Sequence, residues 1–264
     1  MREEGLAREE VSRISIWKEP DTKGEQKPGM PDNIPSATLD ARGKLVSLPA
    51  RITVLAMYMV FPLVGLFGLT LLISFFTGGR LLLDINESGG YKEVLLAFSL
   101  PMLIAMGLLP VAVKIKGEGR KREDLGIQTG IGRRTLPFIL LFSGLILYTA
   151  YLLFVKDLSI GYDPRAVFIQ FLVVGVAEEL YMRSVILDEL LKFMPLLAAA
   201  LVSSLLFAFF LHSDASFWVN LLVRFPLGLF LVWLRIYTRS VYPAMVAHAA
   251  YDLAISTIPL YFNW

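Results

Sequence analysis

The sequence predicts an all-α, polytopic transmembrane helical bundle of about seven spans. Three observations carry that expectation. Apolar residues make up 56% of the 264 positions and the mean hydropathy is +0.62, well beyond a soluble globular domain. Long runs at 52–77, 94–113, 135–155, 166–187, 193–211, 217–234 and 240–264 are uncharged or nearly so, and each is about long enough to cross a hydrocarbon core of roughly 30 Å as a helix. The connections alternate in basic content, as in a chain threaded back and forth through a bilayer.

Residues 1–50 precede the first run. They are polar and charged, and the stretch 18–39 is proline-rich with little hydrophobicity, which reads as a disordered tail. No apolar stretch begins before Ile52, so a secretory leader is not expected. The membrane domain is assigned to 51–264. Its first three runs contain no acid, base or histidine. Pro62, Pro101, Pro110 and Pro226 fall inside runs and should bend their helices. The connection 114–134, KIKGEGRKREDLGIQTGIGRR, is basic and glycine-rich; it reads as a topology-setting loop, with contact to anionic lipid or substrate as the lesser alternative.

The tail through Arg51 holds nine Lys and Arg and the 114–134 loop holds seven, whereas the 78–93 and 156–165 loops hold two each. This asymmetry predicts a multi-pass integral membrane protein with its N-terminus in the cytoplasm. The absence of cysteine excludes thiol nucleophiles, thiolate metal sites and disulfides. The net charge of +2, without basic residues interleaved with aromatics, gives no support to nucleic-acid binding.

Polarity is concentrated in the second half. Glu178 and Glu179 sit side by side in the fourth run, with Arg183 four residues after Glu179. A carboxylate at the centre of a bilayer costs about 2.5–3.5 kcal/mol on insertion scales, so two adjacent ones need a partner or a task. Spacing of four places Glu179 and Arg183 on one helix face as a pair and leaves Glu178, about 100° around the helix, as the freer base. The chain's two histidines, His212 and His248, fall in the fifth and seventh runs, and Asp252 follows His248 by one turn. Asp252 is placed to fix the His248 ring through a hydrogen bond. Each feature alone has a plainer explanation: an Arg–Glu clamp, an interfacial histidine, a self-satisfied helical pair. Together they place water-activating groups on three spans. Glu178, His212 and His248 are also candidate ligands for a divalent metal such as zinc, and sequence alone leaves the cofactor unknown. Arg224, one turn after Asn220 in the sixth run, reads as a counter-charge for the acidic cluster. Ser203 and Ser204 read as helix-packing residues.

These residues resemble a known family. EELYMR at 178–183 looks like the EExxxR motif of the CAAX protease and bacteriocin-processing (CPBP) family, which includes the type II CAAX prenyl endopeptidases. SSLLFAFFLH, ending at His212, resembles its second motif, and HAAYD at 248–252 matches its HxxxN/D motif. REDLGIQTG resembles the segment before the family's core, so the likeness spans about 120–254. The resemblance implies an intramembrane endopeptidase acting on a membrane-associated protein or peptide, in which Glu178 and His212 activate water, His248 and Asp252 stabilise the oxyanion, and Glu179 and Arg183 support the site. A glutamate-dependent reaction is favoured over a metal-dependent one. Two departures stand out. Ala208 occupies the place where the second motif usually has phenylalanine, flanked by Phe207 and Phe209, and position 252 is Asp rather than Asn. An ionised Asp cannot donate to an oxyanion, so Asp252 is either protonated or serves to orient His248. The rival readings are a non-catalytic membrane protein, such as a bacteriocin self-immunity factor or scaffold, and a proton-coupled transporter. The latter is weakened by the lack of an internal repeat.

Overall fold

The computed structural model describes residues 38–39, 45–76, 91–156 and 163–261, all within one unit, Ser36–Trp264. Most of the predicted disordered tail lies outside the described residues. Within that tail, Thr38–Leu39 (β1) pairs antiparallel with Leu45–Val46 (β2).

Among the described residues seven continuous helical segments follow, one for each apolar run: α1 (Leu48–Phe76), α2 (91–117), α3 (Leu136–Phe154), α4 (164–191), α5 (Leu196–Leu211), α6 (Phe217–Thr238) and α7 (Tyr242–Tyr261). Among the described residues, Leu48–Phe76, Leu95–Gly117, Leu136–Phe154 and Phe217–Thr238 are long and apolar enough to cross a membrane. The helix α5 is apolar but shorter, and α4 carries Glu178, Glu179, Arg183, Asp188 and Glu189 along its length.

The helices begin and end for local reasons. Asp163 caps α4 by accepting from the Arg165 amide at 2.9 Å, with Pro164 in the first turn, where a missing N–H costs nothing. Ser216 caps α6 by accepting from the Val219 amide. Arg239, at φ 57°, closes α6 in the left-handed region. Within α2 and α6 the backbone widens into i→i+5 turns at Leu95–Ser99, Leu103–Leu108 and Asn220–Arg224. Each of these ends two residues before a proline, Pro101, Pro110 or Pro226. A proline offers no N–H and crowds the carbonyl four residues back, so the preceding turn relaxes outward.

The helix α4 is the axis of the bundle. Every residue from 177 to 190 is buried, the pattern of a helix enclosed on all sides. It packs against α2 and α7, while α7 also packs on α3 and α5 pairs with α6. The outer surfaces of α1 and α3 expose Phe61, Phe67, Phe75, Leu140 and Leu147, apolar faces suited to lipid.

Two glycines permit the close approaches that shape the site. A Cβ on Gly175 would stand 2.8 Å from the Ala249 amide nitrogen and 2.9 Å from the Met245 carbonyl, so only glycine lets α4 and α7 meet here. A Cβ on Gly228 would stand 3.1 Å from Ser204 Cβ, which seats α6 on α5 and bears out the packing role expected of Ser204.

Candidate active site

The fourth, fifth and seventh helices bring the predicted polar residues to one place. The Glu178 and Glu179 side chains bracket a single imidazole. His248 Nδ1 lies 3.1 Å from Glu179 Oε1, and its Nε2 lies 4.0 Å from Glu178 Oε2. The same Glu178 oxygen stands 3.8 Å from His212 Nε2. Glu178 Oε2 is buried and has no hydrogen-bond partner among the described residues.

The His212 tautomer follows from its surroundings. Its Nδ1 is 2.9 Å from the Phe207 carbonyl. A carbonyl only accepts, so Nδ1 carries the proton and the neutral ring presents the Nε2 lone pair towards Glu178. Asn220 holds the turn by donating from Nδ2 to the His212 carbonyl at 2.9 Å.

Glu179 is the junction of the buried network. Arg183 Nε donates to its Oε2 at 2.9 Å, as the spacing of four anticipates, and Arg183 Nη1 donates to Ser203 Oγ at 3.1 Å. The line Ser203–Arg183–Glu179–His248 therefore runs from α5 through α4 to α7. Ser203, read from sequence as a packing residue, belongs to this line; the sequence signal available was its position nine residues before His212 in a helix whose one other polar residue is Ser204.

Asp252 faces His248 one turn away, as its spacing suggests, but it is not the ring's shortest contact. Its Oδ2 lies 3.5 Å from Nε2, while the shorter contact, from Nδ1, goes to Glu179 on another helix. Tertiary packing of α4 on α7 adds a second carboxylate, on the other ring nitrogen, to the local pair. Arg224 acts electrostatically on Asp252, as a counter-charge for the acidic cluster would. It also lies 3.8 Å from the exposed Asp214, while the cation hydrogen-bonded to Glu179 is Arg183.

The replacement of phenylalanine by Ala208 in the second motif is explained by the backbone. Residues Leu206–Leu211 form an i→i+5 turn, which aligns a residue with the one five positions on rather than four. Phe207, five before His212, thereby meets both imidazoles edge-on, at 4.9 Å from His212 and 5.3 Å from His248 between ring centres. The Arg183 guanidinium lies 5.1 Å from the same ring. Phe207 is a site residue that an i−4 template overlooks.

Glu178, His212 and His248 are ligand types that hold zinc, but their donor atoms do not all gather within 4.8 Å of one another. The described residues that do so are Glu118, Asp188 and Glu189, and these are already engaged by cations. Lys114 contacts Glu189 and lies 3.0 Å from Asp188. Arg120 contacts Asp188, and Lys192 contacts Glu189 and lies 2.8 Å from Glu118. Tyr58 completes this second network by donating to Glu118 at 2.7 Å. Three carboxylates and three cations thus lock the C-terminal end of α4 to α1 and α2.

Neither a curated protein nor a solved structure matches the chain. A family model does. Residues 162–254 match the type II CAAX prenyl endopeptidase Rce1-like family, a range that holds the whole buried cluster from Glu178 to Asp252. The segment that carries the site is therefore similar to the Rce1-like type II CAAX prenyl endopeptidases, a likeness that implies a CAAX-type peptidase, and its helices are those of an integral membrane protein.

Proposed function

We propose that Glu178 and His212 activate a water that hydrolyses a peptide bond of a membrane-associated protein or peptide. The observation that carries this reading is the facing of two acceptors: Glu178 Oε2, without a hydrogen-bond partner, and the His212 Nε2 lone pair, 3.8 Å apart. Two acceptors at that separation call for a molecule that donates two protons, and water does so while directing its own lone pair at a carbonyl.

In the first step the water oxygen bonds to the substrate carbonyl carbon and its proton passes to Glu178. The resulting oxyanion accepts a hydrogen bond from His248 Nε2. With carboxylates facing both of its ring nitrogens, His248 acts as a donor at each. Asp252 steadies the Nε2–H and has no need to donate to the oxyanion itself. In the second step Glu178 returns its proton to the leaving amine nitrogen as the C–N bond breaks. Glu179, Arg183 and Ser203 hold the His248 ring and do not touch substrate. The domain spans 51–264 with an N-terminal tail on the cytoplasmic side and all seven helices crossing the bilayer.

The test uses the full chain in liposomes with a membrane-anchored peptide bearing a prenylated cysteine, and the same peptide anchored without the prenyl group. Glu178→Gln and His212→Ala are expected to lower the cleavage rate by about 10²–10⁴-fold each while the protein remains folded. Undiminished cleavage in both variants sinks the assignment. Activity that survives chelation in metal-free protein supports the glutamate-dependent route, and loss restored by zinc favours the metal-dependent one. A Glu178→Gln chain expressed in cells should also accumulate the natural substrate uncut.

A further inference from the structure

The basic loop between α2 and α3 divides its charge into two sets. Lys114 and Arg120 turn inward onto Asp188. Lys116, Lys121, Arg122, Arg133 and Arg134 are exposed, as is Arg239 at the end of α6. None of these six forms an ion pair with a carboxylate among the described residues. Between 117 and 135 the only fully exposed acid is Glu123.

The loop is also folded. Leu125 is wholly buried. The Val241 amide donates to the Gly126 carbonyl at 3.0 Å, and Arg235 Nη2 donates to the Asp124 carbonyl at 2.9 Å. Gln128 Nε2 donates to the Arg239 carbonyl at 2.9 Å, and Tyr242 Oη donates to the Gln128 carbonyl at 2.8 Å. Arg239 is the one non-glycine residue at positive φ among the described residues, a conformation that costs energy and persists where surroundings impose it. A loop that only sets topology needs a number of positive charges, not a fixed conformation.

A third feature adjoins these cations. Phe230, Trp233 and Tyr237 stack along α6, with centroids 5.7 and 5.3 Å apart and planes at 23° and 13°. Phe138 meets Trp233 and Tyr237 edge-on. Trp233 and Tyr237 are exposed, and the Arg134 guanidinium lies 5.8 Å from the Tyr237 ring. Amphipathic rings beside cations are the composition of a membrane interface.

We infer that the folded loop and the α6–α7 turn form a docking face for the headgroup of an anionic phospholipid. Arg133, Arg134 and Arg239 face its phosphate, for which the guanidinium fork is suited, and the aromatic stack lines its acyl chain. An acidic protein segment would satisfy the cations but would leave the exposed rings beside Arg134 without a role.

The test places the full chain in phosphatidylcholine nanodiscs doped with spin-labelled phosphatidylglycerol or spin-labelled phosphatidylcholine and measures the fraction of each immobilised by the protein. A several-fold preference for phosphatidylglycerol is expected, lost in the Arg133→Gln, Arg134→Gln, Arg239→Gln triple variant. Gln128→Ala and Tyr242→Phe keep every charge while releasing the loop, and each should lose most of the preference. A wild-type protein without preference overturns the inference. So does a preference undiminished in both loop-releasing variants, which would mark a diffuse charge effect. Binding of polyglutamate without any phosphatidylglycerol preference would assign the face to a protein partner instead.

Discussion

Glu179 on α4 accepts from His248 Nδ1 on α7 across 3.1 Å, and this contact between helices, together with the local pair with Asp252, sets the orientation of the imidazole. It frees Nε2 to face Glu178 and Asp252. The other Glu179 oxygen is taken by Arg183. Both Glu179 oxygens are thus engaged, whereas Glu178 Oε2 has no hydrogen-bond partner among the described residues.

Arg183 is fully buried and pairs with Glu179. Arg183→Leu would leave that carboxylate with His248 as its remaining partner. Breaking a buried pair from one side costs about 3–5 kcal/mol. Thermal unfolding in detergent should drop accordingly, and Arg183→Lys, which keeps charge but loses the fork to Glu179 and Ser203, should recover only part of it. A Leu variant as stable as wild type would contradict the pairing as a stabilising element.

Phe207 packs against both imidazoles through the widened turn at 206–211. Phe207→Ala should cost about 3–5 kcal/mol and disorder both rings. Moving the ring to the position an i−4 motif prescribes, as Phe207→Ala with Ala208→Phe, should not rescue activity, because Ala208 is itself completely buried and overpacking there adds about 1–3 kcal/mol. Rescue by the double variant, measured as peptide cleavage, would argue for an ordinary α-helical register at this turn.

The elements that were legible in the sequence are those governed by local pattern. Seven apolar runs became seven helices, because length and uniform hydrophobicity leave a chain in lipid little choice but to satisfy its backbone internally. The Glu179–Arg183 pair followed from helical spacing. What was not legible depends on distant contacts. Nothing local indicates that Glu179 joins Asp252 on His248, because that contact arises from the meeting of α4 and α7 at Gly175. Nor does spacing disclose the i→i+5 turn that substitutes Phe207 for position 208. Ser203 and the six-charge network around Lys114 likewise join residues far apart in the chain.

Gly175 is where α4 and α7, two of the three helices bearing the site, touch. Gly175→Ala would drive a methyl against the Ala249 amide and Met245 carbonyl, which are backbone atoms with no rotamer to yield. The variant should lose about 1–3 kcal/mol of stability, and the separation of Glu179 from His248 should widen. Cleavage should fall by more than stability predicts, since a misplacement of about 1 Å at a site can cost 10²-fold. Unchanged cleavage in Gly175→Ala would show that α7 shifts without disturbing the imidazole.

Glu118 and Lys192 lie just beyond the membrane-spanning segments and give the second network a two-sided pH dependence. Burial by itself would raise the Glu118 carboxyl, but the Lys114 charge and the hydrogen bonds from Lys192 and Tyr58 outweigh it and hold the group below its ordinary 4.5. Burial by itself would lower the Lys192 ammonium, but the Glu189 charge and the bonds to Glu118 and Glu189 hold it above its ordinary 10.5. A depressed carboxyl contributes stability that is present above its unfolded value and is lost as pH falls through the folded one. A raised ammonium contributes stability that is present below its unfolded value and is lost as pH rises through the folded one. The unfolding temperature in detergent should therefore hold across the neutral range and decline at both extremes. Glu118→Gln should flatten the acid decline and Lys192→Met the alkaline one, each lowering the neutral plateau. An acid decline of full size in Glu118→Gln would place its origin in other carboxylates and remove Glu118 from the clasp that anchors α4.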